Sequence, residues 1–348
     1  MSTGPQRDLR VSDDDGCVDL LQDLHDAARD GVVSAAAARR LGIGPDHLAA
    51  WVRAGDLRRL VRGWYAVRVP GAPAPWEAPT PHESARRLHL LTTIALVRSF
   101  AGRVVASHHS ALLLHGVSLW RSDLRTVHVS RAADDHTRHR RGAVIHPACG
   151  FDPVDAGPCL TVPVATAVVQ VGLRPRHRGA SFPLESLVAA DSALHLGLVT
   201  PEGLADVVAQ HAGHPGIGPV RAVLAHADGR HESVGETRLA HVVRLLGHET
   251  EPQSVRRVGG HNYRGDLRIR GTRVLLEFDG LTKYLPDDEV PDLRRARSVI
   301  AAEKLRQDQL VEAGDELVRV TWRELDDSVA LDRRIAAAIE RSRRRRPA

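Results

Sequence analysis

Three carboxylates close together near the C-terminal end of the chain, Asp266, Glu277 and Asp279, have the spacing for chemistry on phosphate esters. The run Val274-Leu275-Leu276-Glu277-Phe278-Asp279 reads as a strand, and period-two alternation sets Glu277 and Asp279 on one face and Phe278 on the other. Arg270-Gly271-Thr272-Arg273 reads as a tight hairpin, so the strand before it, Tyr263 to Arg270, is the neighbour and carries Asp266. Three carboxylates meeting at one sheet edge repel one another, and a divalent cation relieves that repulsion. Mg2+ held by Asp266 and Glu277 would acidify a bound water and offset the charge of a scissile phosphate, which is metal-assisted phosphodiester hydrolysis. The plain alternative is that Asp266 caps a turn and that Asp279 begins one, because Asp-Gly is a turn dipeptide.

The elements around these acids follow from helical and strand periodicity. Ser233 to Leu246 reads as a helix stopped by Gly247, with Leu239, Val242, Val243 and Leu246 as its apolar stripe. Glu236 lies on the same side at the N-terminal end, where it is either a fourth functional acid or the partner of Ser233 in a capping box. A strand from Gln253 to Val258 comes next, and Leu317 to Thr321 is the strand that follows the acids, with Trp322 packed under it. The chain has only two lysines, Lys283 and Lys304, and both fall in this region. Lys304 shares a helical stripe with Leu293, Ala296, Ile300, Gln307 and Val311, where it either meets an anion or snorkels past the sheet edge. The basic run Arg341 to Arg346 is most simply a solvated tail.

Five pieces in order, S-V-G-E at 233–236, G-D-L at 265–267, L-E-F-D-G at 276–280, R-Q-D-Q-L at 306–310 and L-V-R-V-T-W-R-E-L at 317–325, resemble the PD-(D/E)XK nuclease superfamily, and more narrowly its branch related to very-short-patch-repair endonucleases. The resemblance implies a restriction-endonuclease-like α/β core over 233–328, Mg2+ as cofactor and a catalytic group drawn from Asp266, Glu277, Asp279 and Glu236. One departure matters. The motif's lysine, two positions after Glu277, is Asp279 here, which removes the cation expected to face phosphate; Lys283 is near enough in sequence to substitute, and Lys304 is a second candidate.

A second functional region stands at the other end. Ser34 to Gly42 reads as a short helix, Asp46 to Ala54 as a second, with Leu48, Trp51 and Val52 inward, and Leu57–Val61 and Trp64–Val67 as a hairpin turning at Arg62-Gly63. Helix, turn, helix and hairpin is the winged helix-turn-helix plan. Residues 31–69 carry a net charge of +5, equal to that of the whole chain. Arg39, Arg40, Arg53, Arg58, Arg59 and Arg62 are the residues expected to contact nucleic-acid phosphates; otherwise they form a solvated face on a protein-interaction module. The segment GVVSAAAARRLGIGPDHLAAWVRAGDLRRLVRGWYAV resembles the N-terminal domain of AbiEi-family antitoxins, which implies DNA binding, repression of the protein's own operon and a cognate toxin as partner.

Between the two regions, Ser107 to Gly116 resembles the A-L-x-x-H-G helix that follows the winged helix in AbiEi-like proteins. Its His108, His109 and His115 raise the question of a metal, but neither spacing nor a nearby carboxylate supports one, and a structural role is expected. Val127–Ser130 and Ala143–His146 read as strands and Leu184–Leu198 as a helix. The expected fold class is therefore mixed α/β and multidomain (α+β): a winged helix at 19–69, an AbiEi-like middle region at 82–228, the nuclease-like domain at 233–328, and a helix end with basic tail at 329–348. Residues before Asp19 read as a polar tail and 70–81 as a Pro-rich linker or surface excursion. Cys17, Cys149 and Cys159 form no CxxC pair, so neither a disulfide framework nor a structural zinc site is indicated. No apolar run is long enough to span a membrane and no signal core is present, so a cytoplasmic protein is expected. Two functions remain open: a DNA-binding Mg2+-dependent endonuclease, or a non-enzymatic antitoxin-like repressor. DNA and RNA are not distinguished as substrates.

Overall fold

The computed structural model describes residues 13–69, 71–133, 136–148, 150–173, 182–258, 260–280 and 310–344 of a mixed α/β chain with three sheets. Among the described residues, no helix is long and apolar enough to cross a membrane. The chain divides into two compact units, one made of residues up to Gly116 with Ser122–Ala167, the other of Val117–Arg121 with the residues from Val168 onward. The middle region expected from the sequence is thus shared between them.

The first unit begins with α1 (Asp13–Asp26), β1 (Val32–Ser34), α2 (Ala35–Arg40), α3 (Pro45–Ala54), β2 (Leu57–Val61) and β3 (Trp64–Val67). The helix α1 extends into what composition alone marked as a polar tail. The Ser34 hydroxyl accepts the Ala37 N–H and caps α2. Gly55 ends α3 in the left-handed region, at φ 89°, a conformation that costs glycine little. The three strands form an antiparallel sheet in the order β1-β3-β2. Leu21 and Leu24 of α1 pack with Ile43, Leu48, Trp51, Leu57 and Val67 beneath it. The Pro-rich stretch is no free linker: Ala74 and Trp76 are buried with Val32, Ala66, Leu91 and Ile94. Proline fixes the backbone there, but two apolar side chains anchor it.

The same unit continues with α4 (Pro81–Ser99), β4 (Val104–Ala106), α5 (His108–Leu114), β5 (Val127–Arg131), β6 (Arg138–Arg140), β7 (Ala143–His146), β8 (Val154–Asp155) and β9 (Leu160–Thr161), followed by the start of α6 (Val164–Leu173). Its six strands run in the order β6-β7-β5-β4-β9-β8. The β5 and β7 strands are parallel, with Ser130 opposite His146 and His128 opposite Val144. Cys159 is half-buried, and burial pushes its thiol pKa up to about 11.

The second unit holds α7 (Phe182–His195), α8 (Pro201–Gln210), α9 (Ile217–Leu224) and α10 (Val234–Leu245), then a four-stranded sheet and two terminal helices, Trp322–Leu325 and Ser328–Arg344. The strands are β10 (Thr250–Val258), β11 (His261–Ile269), β12 (Val274–Asp279) and β13 (Glu316–Thr321), hydrogen-bonded in that order. The first three pair antiparallel and β13 runs parallel to β12. Leu239, Ala240 and Val243 of α10, Leu331 and Ile335 of the last helix, and Leu267, Leu276, Val318 and Val320 of the strands make one core. The basic run at the end is not wholly solvated: Arg341 donates to the buried Glu316 carboxylate.

Two contacts inside this unit are sequence-specific. The Phe278 ring packs against α10 at Gly235, where an added Cβ would come within 2.1 Å of it. Trp322 packs edge-on to Phe278 and stacks on Trp120 with 5.2 Å between ring centroids. The Arg238 guanidinium sits 4.2 Å from the Trp120 centroid and donates to Asp326. Deeper in, the Asp191 carboxylate is 1% exposed and accepts from His231 Nδ1, the Thr237 hydroxyl and the Asp228 N–H.

Three stability measurements follow from this packing. Gly235→Ala is expected to lower unfolding free energy in denaturant titration by about 1–3 kcal/mol, the usual cost of overpacking a core. Asp191→Ala strands three donors in the interior and should cost about 3–5 kcal/mol in the same assay. Acid should also destabilise the fold. Burial is the first cause that pushes the imidazoles of His89, His115, His226 and His241 below their usual pKa, with the Arg244 charge adding to it for the last two. The unfolded chain then binds protons more readily than the folded one, so their contribution is complete above the unfolded value, about 6.5, and declines below it. Calorimetric scans should give a lower Tm at pH 5.5 than at pH 7.5.

Candidate functional site

The acids predicted from the sequence lie on the face of the third sheet opposite its core. Leu267 and Leu276 are paired across β11 and β12 and both enter the core, so the alternate positions 266 and 277 take the other face. Continuing that register by one residue sets Asp266 opposite Glu277. The strand ladder does not extend so far. Instead, Asp266 Oδ2 accepts the backbone N–H of Phe278 at 2.7 Å, so a carboxylate completes the ladder. Asp279 follows on the same face at the end of β12 and is partly buried.

Parallel pairing of β12 with β13 brings Arg319 opposite Glu277, and its Nε lies 3.6 Å from Glu277 Oε2. At that distance the contact is an ion pair rather than a hydrogen bond. Glu277 is 15% exposed in its side chain, so the attraction is less screened than at an open surface. Sequence reasoning placed Arg319 in a strand but gave it no role, because only the β12–β13 register makes it a neighbour of the acid. It supplies a cation beside Glu277. Lys283 and Lys304, the cations proposed for this role, lie outside the described residues.

Glu236 acts as a cap. Its N–H donates to Ser233 Oγ, and its carboxylate accepts from the Ser233 hydroxyl, the Glu232 N–H and Gln253 Nε2. Gln253 is a residue that sequence reasoning missed. It sits between the pairs Pro252–Leu267 and Ser254–Gly265, which makes it the residue of β10 at the level of Asp266. Its backbone is in the left-handed region, at φ 53°, unusual for a side-chain-bearing residue in a strand. Its Oε1 is buried with no hydrogen-bond partner. The polar composition of one row, Gln253, Asp266, Glu277 and Arg319, therefore runs through all four strands.

The predicted phosphate contacts are all at the surface of the N-terminal subdomain. Arg39 and Arg40 end α2, Arg53 ends α3, Arg58 and Arg59 project from β2, and Arg62 lies in the turn to β3. All six are exposed, and no ion pair or side-chain hydrogen bond joins them to other described residues. Arg68, the remaining arginine of residues 31–69, is bound to Glu77. The exposed residues of α3 are Pro45, Asp46, His47, Ala49, Ala50, Val52, Arg53 and Ala54, so few side chains there can donate to base edges.

A third group was not anticipated. Among the described residues, His108, His128 and His146 alone form a set of three or more ligating side chains whose donor atoms lie within 4.8 Å of one another; Asp266, Glu277 and Asp279 form no such set. His108 was weighed for a metal with His109 and His115, its neighbours in sequence. Those two instead bond to the Thr126 carbonyl at 3.0 Å and the Thr161 hydroxyl at 2.9 Å, which are structural contacts. The real neighbours of His108 come from β5 and β7, each a strand with nothing local to mark its histidine. In comparisons with known proteins the chain matches no family model, and no curated protein is similar to it.

Proposed function

We propose that the protein binds DNA through its N-terminal subdomain, a winged helix, and hydrolyses phosphodiester bonds at Asp266 and Glu277 on a restriction-endonuclease-like third sheet. The observation that carries this reading is the placement of Asp266, Glu277 and Arg319 on three adjacent strands, outside the apolar core. The resemblance of the five C-terminal sequence pieces to PD-(D/E)XK nucleases supports it. The residues fit Mg2+ in donor chemistry, since Asp266 and Glu277 are hard oxygen ligands, and the buried, unpartnered Gln253 Oε1 offers a third oxygen at the same level of the sheet. Bound there, Mg2+ would supply a more acidic water and neutralise charge at the scissile phosphate.

The chain's own residues have distinct parts in this reading. Asp266 is held by the Phe278 N–H through one oxygen, which orients the other. Glu277 is steadied by Arg319, and that guanidinium gives the site the fixed positive charge that Asp279 removed from the usual lysine position. The winged helix supplies affinity through six exposed arginines, and the small exposed residues of α3 limit reading of bases. Magnesium titration by calorimetry tests the centre. The wild type should bind Mg2+ with DNA present, and a folded Asp266→Ala/Glu277→Ala variant should lose both binding and strand cleavage. A wild type that binds no Mg2+ under these conditions overturns the hydrolytic reading.

The second reading is an AbiEi-like repressor that binds DNA without cutting it, its acids serving only the fold. The Asp266–Phe278 bond and the Glu277–Arg319 pair favour it, since both also stabilise the sheet. Either reading makes the arginines phosphate contacts. Arg58→Ala or Arg59→Ala should weaken DNA binding about equally across sequences and lower the slope of log K against log salt by about one. An unchanged slope would remove those side chains from the interface. A fluorescence anisotropy series over several salt concentrations gives both numbers.

A further inference from the structure

We propose that His108, His128 and His146 bind a divalent transition metal of the zinc type, at a site that owes nothing to the acids of the third sheet. The three imidazoles converge from α5, β5 and β7, with ring centroids 4.0 Å apart for His108 and His146, and 5.0 Å for His128 with each of the others. His108 and His128 are each 7% exposed, and His146 is half-buried. Three clustered imidazoles are expensive core material, since each has two polar nitrogens to satisfy where an aliphatic side chain has none.

The surroundings hold the ligands in place. His108 adopts φ 52°, a left-handed backbone that a side-chain-bearing residue rarely takes and that gathers at ligand sites. Ser107 would ordinarily cap α5, yet its side chain makes no capping bond; its hydroxyl lies 3.0 Å from His108 Nδ1 and fixes that ring. The backbone of His128 is bonded on both sides to α5 and its approach, its carbonyl to the Ser107 N–H and its N–H to the Ser110 hydroxyl. Ser110 is bonded in turn to His89 Nε2, whose Nδ1 donates to the Leu124 carbonyl. Such outer contacts set ring orientation and tautomer at metal sites.

The donor set selects the ion. Imidazole nitrogens suit Zn2+, Cu2+ and Ni2+, whereas Mg2+ and Ca2+ require oxygen. His128 Nδ1 and His146 Nε2 are 2.8 Å apart and share one proton. Two nitrogens on a tetrahedral zinc stand roughly 3.3 Å apart, so this pair opens by about half an ångström as the ion enters and the proton leaves to solvent. Three protein ligands leave the fourth position to water or a small ligand, and the partial exposure of His146 gives it a way in.

The test uses the full chain stripped with chelator and titrated with Zn2+ by calorimetry and with Co2+ by visible absorption. Wild type should bind one equivalent of zinc that excess Mg2+ does not displace, and should give the intense visible band of tetrahedral cobalt. His146→Gln, at a half-buried strand end, should keep the circular dichroism of the fold and weaken zinc by at least about 100-fold, more than loss of an outer contact costs. Asp266→Ala/Glu277→Ala should bind zinc as wild type does. A wild type that takes up no zinc overturns the site. So does equal binding by His146→Gln and His128→Gln, or zinc binding that disappears with the acid variant.

Discussion

The parallel ladder between β12 and β13 is the constraint on which the third sheet depends. Six consecutive pairs, from Val274–Glu316 to Asp279–Thr321, hold the two strands in one register. One face of that ladder carries Val274, Leu276, Val318 and Val320 into the core with Leu239 and Ile335. A slip of one residue would turn those side chains to the other face, a large loss of buried apolar area, so the register is strongly specified. The polar face inherits its geometry from that choice. Arg319 meets Glu277 because Val318 must meet Leu276. The charge pairing is a consequence of apolar packing, and it needs no separate force to arrange it.

Polar side chains finish what the backbone leaves undone in several places. Asp266 takes the N–H of Phe278 where the β11–β12 ladder ends. Glu236 and Ser233 satisfy the first turn of α10, and Thr321 with Glu324 does the same for the short helix after β13. A buried donor without a partner costs as much as several surface contacts gain, so these carboxylates serve the fold whatever else they do. That double duty explains why fold alone does not separate a hydrolytic sheet from a binding one. A carboxylate kept by the fold is also in place for a cation.

The two compact units deal with buried polarity differently. In the second, Asp191 gathers three donors and Arg238 rests on two tryptophan rings, so each charge has a defined set of partners. In the first, imidazoles lie against imidazoles, from His89 and His109 through His128 to His108 and His146. Hydroxyls and carbonyls hold part of the group: His89 bonds to Ser110 and to the Leu124 carbonyl, and His109 Nε2 to the Thr126 carbonyl. Three ring nitrogens so close together suit an ion that brings its own charge.

Local signals were legible in the sequence. Ser34 and Ser233 as caps, Gly55 as a helix stop, the turn at Gly63, the hairpin at Gly271 and the alternation in β12 all depend on residues within a few positions of one another, where steric and hydrogen-bonding preferences act directly. The placement of Asp266 on the strand next to Glu277 was legible for the same reason, because a short turn joins neighbouring strands. Three features were not. The burial of Trp76 in a proline-rich stretch, the placement of Arg319 beside Glu277 and the meeting of His108 with His128 and His146 all join residues far apart in the chain. Side-chain type and spacing determine what a segment can form by itself. Which distant segment it meets is decided by the burial of apolar faces, and only the tertiary structure records that choice.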